Sequence, residues 1–113
     1  MYSQGDILLI SIPFTDLSSN KKRPVLVISK NEYNHATKDI VVFAITSVVD
    51  GKPYSIPFCN DDMVDGVLNV DSCIRVDKIY TLSQSIVVKR FGKINPAIVF
   101  KAKEQFEKLI DLT

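Results

Sequence analysis

Gly5-Asp6-Ile7-Leu8-Leu9-Ile10, followed by Phe14-Thr15-Asp16-Leu17-Ser18-Ser19-Asn20-Lys21-Lys22-Arg23-Pro24-Val25-Leu26-Val27-Ile28-Ser29, decides how this chain is read. Two apolar runs flank a polar loop that closes on three consecutive cations. Apolar runs bounded by turn residues read as strands, and the Ser, Asn and Asp content of Asp16 to Lys22 reads as their connection. The first run, Ile7 to Ile12, opens with the continuously apolar stretch Ile7 to Ile10, which predicts burial on both faces, and Pro13 ends or bends it. Arg23 precedes Pro24, whose ring pushes the preceding residue toward extended geometry. A guanidinium held at the mouth of a strand suits a two-pronged grip on a phosphate. By itself, however, Lys21-Lys22-Arg23 reads more readily as solvated loop charge.

Outward from this stretch, Val25 to Ser29 and Ile40 to Ile45 are β-branched strands. Between them Lys30 to Asp39 is polar and reads as a loop with room for one helical turn. Asp50-Gly51-Lys52-Pro53 is a turn signal before a short strand at Tyr54 to Phe58, and Asn60 to Gly66 reads as a second, acidic turn. Val67 to Val76 reads as a strand broken near Asp71-Ser72. Short strands follow at Ile79 to Leu82 and Ser85 to Val88, with Phe91-Gly92 as the next turn. The last segment changes period. Ile98, Val99, Ala102, Phe106, Leu109 and Ile110 recur at helical spacing, with Asn95 as N-cap and Pro96 at the first helical position. Short strands and then a terminal helix predict a mainly β protein, a small barrel or strongly bent sheet with a helix over one opening.

At 113 residues the chain has length for one core and is read as a single domain over residues 1–113. A net charge of +1 carries no whole-molecule field toward nucleic acid. A basic surface must then come from local segregation. Lys21, Lys22 and Arg23 form one cluster, and Arg75, Lys78, Lys89, Arg90 and Lys93 crowd another part of the sequence, while acids gather at Asp61, Asp62 and Asp65 and near the C-terminus. Cys59 and Cys73 lack CxxC spacing, and one His leaves a zinc site short of ligands, so no metal or other cofactor is expected. A disulfide stays open, with reduced thiols in a cytosolic protein the more economical reading. No signal-peptide pattern opens the chain, and no run approaches the ~20 apolar residues that span a bilayer. The expectation is a cytoplasmic protein with no membrane contact.

Candidate chemistry is sparse residue by residue. Thr46-Ser47 ends a strand, where a hydroxyl could meet a phosphate oxygen but more commonly caps a turn. Ser72, Arg75 and Lys78 could line a groove, and they equally suit an edge strand kept soluble by charge. Tyr33, Tyr54, Tyr80 and Phe91 could stack on unpaired bases, with core or rim packing as the default for each. His35 titrates near neutral pH, but acid–base chemistry of the two-histidine kind needs a partner that the chain lacks.

The order of these elements resembles the MazF/PemK toxins, small endoribonucleases of toxin–antitoxin pairs. The likeness is carried by Gly5-Asp6-Ile7, Phe14-Thr15-Asp16-Leu17, Lys22-Arg23-Pro24-Val25-Leu26-Val27-Ile28-Ser29, Ile45-Thr46-Ser47, Asp71-Ser72-Cys73-Ile74-Arg75-Val76-Asp77-Lys78-Ile79 and the C-terminal helix, and so spans essentially the whole chain. It implies a small SH3-like barrel closed by a terminal helix, commonly a homodimer. It also implies metal-independent cleavage of single-stranded RNA at short sequences, leaving a 2′,3′-cyclic phosphate, with a cognate antitoxin as partner. Catalysis would map onto Arg23 and Thr46, and RNA binding onto Ser18, Ser19, Lys21, Lys22, Ser47, Ser72, Arg75 and Lys78. Many members carry an acid or Gln just ahead of the Arg; here those positions are Ser18, Ser19 and Asn20, as in the PemK-like branch. The competing reading is a non-enzymatic binding module on the same barrel, either a gyrase-inhibiting toxin like CcdB or a degenerate nuclease that only binds RNA. A third is a structural barrel without nucleic-acid contacts.

Overall fold

Alternation along the first three strands is what builds the molecule. The computed structural model describes residues 1–11 and 21–113. Among these, the backbone forms strands β1 (Asp6–Ser11), β2 (Lys22–Val27), β3 (Asp39–Thr46), β4 (Ser55–Phe58), β5 (Met63–Gly66), β6 (Ser72–Ser83) and β7 (Val87–Ile94), with helices α1 (Asn31–Ala36) and α2 (Pro96–Leu109). The strands make one antiparallel sheet in the order β4-β6-β3-β2-β1-β7-β5.

Side chains of a strand point alternately to opposite faces. Ile7, Leu26, Phe43 and Ile45 therefore enter one core, while Leu8, Ile10, Val25, Val27, Ile40 and Val42 enter a second on the other face. Burial on both faces, expected for Ile7 to Ile12, is what the structure has along β1, with Ile7 in the first core and Leu8 and Ile10 in the second; Ile12 and Pro13 lie outside the described residues. Ile56 of β4 and Ile94 of β7 stand far apart in the sheet order yet share the first core, which requires the sheet to curl into a half-barrel. Helix α2 covers the concave side through Ile98 and Ala102, and the Phe43 and Phe106 rings meet at 5.6 Å. Burial of a side chain such as Phe43 or Ile74 is worth ~1.5–3 kcal/mol, so this contact supplies much of what fixes the helix. Asn95 caps it as its sequence signal predicts, its side chain accepting from the Ala97 N–H at 2.9 Å.

Two irregularities set the shape. Between the pairs Phe43↔Ile79 and Ala44↔Arg75, three residues of β6, Val76 to Lys78, have no partner on β3. An odd-numbered bulge exchanges the two faces of a strand. Accordingly Ile74 and Val76 lie in the first core and Leu82 in the second. At the other end, Gly66 of β5 and Gly92 of β7 cross so closely that an added Cβ on either would lie 2.1 Å from a backbone oxygen of the other strand. Beside that crossing, buried Asp6 accepts from Arg90 Nε at 3.1 Å and from the Ser3 N–H at 2.8 Å, and Arg90 Nη2 reaches Asp65 at 2.8 Å. One guanidinium thus ties together β1, β5 and β7.

Several expectations change. Val67 to Asp71 is not a strand; β6 begins at Ser72 and runs through the bulge to Ser83, because β3 and β4 pair on either side of it. Phe91-Gly92 is no turn but part of β7, where glycine allows the close crossing. Gln84–Ile86 is a 3₁₀ turn, so the next strand starts at Val87. The acidic segment splits into a 3₁₀ turn at Asn60–Asp62 and strand β5. Leu109 and Ile110 are exposed at the end of α2 rather than on its core face. The loop from Lys30 to Asp39 does contain a short helix, α1. Cys59 and Cys73 are free thiols.

Candidate functional site

Pro24 organises the site. It pairs with Leu9 on β1, whereas on the other side pairing with β3 begins only at Val25↔Ala44, so its missing N–H costs no ladder bond there. Continuing that antiparallel register by two residues sets Arg23 opposite Thr46. Where the pairing stops, a cavity of about 600 Å³ opens, and both residues line it. Arg23 lies in β2 and is exposed, in the extended geometry that a following proline favours. Thr46 is half-buried at the last position of β3. Its Oγ1 accepts from the Val48 N–H at 3.1 Å. With a lone pair so engaged, the hydroxyl hydrogen is free to point at a ligand.

The bulge in β6 completes the wall. Arg75 lies just before it, Lys78 is its last residue and Tyr80 follows it, and the exchange of faces brings all three to the same cavity. Without the bulge, residues three apart on a strand would point to opposite sides. Arg75 is gripped by Asp77, Nε to Oδ1 at 3.0 Å and Nη2 to Oδ2 at 2.8 Å. This two-pronged hydrogen bond raises the Arg75 pKa and holds the Asp77 carboxyl below its ordinary value. Two of the five guanidinium hydrogens are used, and three remain for a ligand. Among the described residues, the lining includes the cations Arg23, Arg75 and Lys78 and no carboxylate. The cavity is therefore suited to a polyanion.

The sequence candidates separate as follows. Arg23, Thr46, Ser47, Ser72, Arg75 and Lys78 share the cavity. Ser72 is buried and its hydroxyl donates to the Val70 carbonyl at 2.9 Å, so it braces the segment from Val67 to Val70 that forms one wall. Lys21 and Lys22 are exposed beside Arg23. Ser18 and Ser19 lie outside the described residues. The second basic cluster does not form one surface: Arg90 is held by Asp6 and Asp65, and Lys93 lines a different groove. His35 is exposed on α1. Of the four aromatics, Tyr80 and Phe91 line the cavity with exposed rings, and Lys89 Nζ lies 5.3 Å from the Phe91 centroid. Tyr54 packs instead against the first core. The strand periodicity of β6 could have flagged Tyr80 beside Lys78; nothing local marked the apolar wall of Val67 to Val70. Among the described residues no group of three or more His, Cys, Asp or Glu side chains is placed to hold a metal ion.

Comparison with known proteins places these features in context. The model of a family described as the PemK-like, MazF-like toxin of type II toxin–antitoxin systems matches residues 3–110. No curated protein sequence matches significantly. Among solved structures, an endoribonuclease in complex with its cognate antitoxin from a mycobacterial species superposes with a TM-score of 0.79 at 20% identity, covering 100% of this chain and 98% of that one. A chain of a MazE–MazF crystal structure (Form-III) from Deinococcus radiodurans gives 0.80 at 18% identity, over 99% and 98% of the two chains. The Mycobacterium tuberculosis toxin MazF-mt6 gives 0.75 at 22% identity, over 96% and 98%. At such identities the likeness is one of fold.

Proposed function

This chain belongs to the PemK-like, MazF-like family of type II toxin–antitoxin toxins, and from that premise we propose that it is an endoribonuclease cutting single-stranded RNA without a metal ion. The observation that carries the reading is that Arg23, from the start of β2, and Thr46, from the end of β3, line one cavity together with Arg75 and Lys78. Two structurally similar proteins from mycobacterial species, both endoribonucleases, support it.

In this reading the 2′-oxygen of the RNA attacks the adjacent phosphorus while the bond from phosphorus to the 5′-oxygen breaks. The products are a 2′,3′-cyclic phosphate and a free 5′-hydroxyl; the proton lost at the 2′-oxygen balances the one gained at the 5′-oxygen. Arg23 stabilises the added charge of the five-coordinate phosphorus and donates toward the leaving oxygen. Thr46, with its oxygen engaged by the Val48 N–H, donates to a non-bridging phosphate oxygen. Arg75 and Lys78 hold flanking phosphates, joined by Lys21, Lys22, Ser18, Ser19 and Ser47, and Ser72 supports the wall.

Titration of the chain against a long unstructured RNA in EDTA tests this directly. Cleavage with a 2′,3′-cyclic end, blocked by a 2′-deoxy substitution at the scissile nucleotide, is the expected result. Arg23→Ala should lower the rate by about 10²–10³ with an unchanged circular dichroism spectrum. RNA bound but left intact would favour the non-enzymatic module instead. The reading extends to a homodimer, to residues 1–113 as one domain, and to a cognate antitoxin; structures of relatives with their antitoxins support the last. Action on RNA would place the protein in the cytoplasm. Among the described residues no helix is long and apolar enough to cross a membrane.

A further inference from the structure

The strand register fixes where Tyr80 points. Residues paired across an antiparallel ladder stand on the same face of the sheet. Tyr80 pairs with Val42, a member of the second core, so its ring stands on that face. Arg75 stands there too, because its partner Ala44 is also opposite Val25 of the same core. The length of β3 therefore orders the cavity. Thr46 marks its end, Arg75 lies level with Ala44, and Tyr80 lies level with Val42. Each step is two residues of strand, roughly 7 Å, which puts Tyr80 about 14 Å along β3 from Thr46.

The ring is 43% exposed, although Leu82, two residues on and in the second core, is buried. Strand β4 pairs with β6 only as far as Arg75, so among the described residues no strand covers the outer edge of β6 at Tyr80. Phe91, the other exposed aromatic of the cavity, already has Lys89 over one face of its ring. A single strand lying along β3, with one phosphate at Thr46 and another against Arg75, brings a base to Tyr80. We propose that Tyr80 stacks an unpaired base, purine ahead of pyrimidine, of a nucleotide flanking the cleaved bond. Tyr80 thereby sets a base preference at a position the chemistry does not touch. The inference rests on the RNA reading of the cavity and adds a base contact to it. Stacking needs no hydrogen-bond readout, and its strength follows the overlapping ring area, which is larger for the fused rings of a purine.

Fluorescence anisotropy of the full chain with 2′-O-methyl decamers of adenosine and of uridine, which lack the nucleophile, tests it by binding alone. The parent is expected to bind the adenosine decamer several-fold more tightly. Tyr80→Ala and Tyr80→Leu should each weaken that decamer about tenfold and erase the preference over uridine. Tyr80→Phe keeps a ring face and should retain both. Arg75→Ala should weaken the two decamers alike and leave the preference in place. Parent-like affinity and preference in Tyr80→Leu, with long RNA still cleaved, would overturn the stacking role and leave the nuclease reading standing. Failure of the parent to bind either decamer would overturn the stacking site, and the nuclease reading with it if long RNA also stays intact. A lower sedimentation coefficient for Tyr80→Leu than for the parent would assign the ring to contact between copies of the chain, and would equally overturn the proposal.

Discussion

Arg75 lines the basic cavity and is also half of an ion pair, its guanidinium held by Asp77. The folded pKa of Asp77 is depressed, chiefly by the hydrogen bond from Arg75. A depressed carboxylate contributes stability that is present above its unfolded value and lost as pH falls through the folded one. The pair is therefore intact at neutral pH and loosens only below the ordinary value of 3.8. In urea melts, Asp77→Asn should fall slightly below the parent from pH 8 to pH 5, and the two should converge in more acid solution. If Asp77 aims the guanidinium, the same substitution should weaken RNA binding two- to tenfold, a change read in KM with kcat retained. A rise in affinity would mean that Asp77 masks Arg75 instead. At Thr46 the expected pattern is different. Thr46→Val keeps the shape but removes the hydroxyl, and should cut cleavage by about 10²-fold, whereas Thr46→Ser should restore most of it. Arg23, Thr46 and Arg75 were all legible as candidates in the sequence. The part Asp77 plays was not, because a carboxylate two residues from an arginine along a strand is ordinary until the side chains are seen to meet.

The secondary-structure elements divide into those that announce themselves and those that neighbours impose. Helix α2 is of the first kind: Asn95, Pro96 and a helical apolar stripe state its start and its buried face. Asn95→Ala should cost about 1 kcal/mol through loss of the cap, measurable as a lower urea midpoint with an unchanged slope. Strands β5 to β7 are of the second kind. Gly92 looks like a turn residue in sequence, yet it lies inside β7 so that Gly66 can cross it. Gly66 has a positive φ and no room for a Cβ. Gly66→Ala should therefore destabilise the fold by about 3 kcal/mol, seen as a drop in thermal midpoint, and should spare the cavity chemistry at permissive temperature. The bulge at Val76 to Lys78 is likewise invisible in the local pattern. It depends on how β3 and β4 pair with opposite sides of β6, contacts that no short window of sequence contains.

For the molecule as a whole, a net charge of +1 would suggest indifference to nucleic acid. Folding nonetheless gathers Arg23, Arg75 and Lys78 around one cavity, whose lining among the described residues holds no carboxylate. Three phosphate contacts to a single strand predict a plot of log affinity against log salt with a slope near −2, and Arg75→Ala should flatten it by about 0.7. A slope near zero in fluorescence anisotropy would contradict the proposed interface. The two-sided burial of β1, the presence of α2 and the extended backbone at Arg23 were determined by the sequence alone, because apolar period, capping residues and the ring of Pro24 act over a few neighbouring positions. The tertiary structure alone decided that Arg23 and Thr46 line one cavity, that Arg75 and Lys78 share its wall, and that three lysines border an apolar groove beside α2. Each of these depends on strand register, a bulge or the docking of a helix, which arise from contacts between residues far apart in the chain.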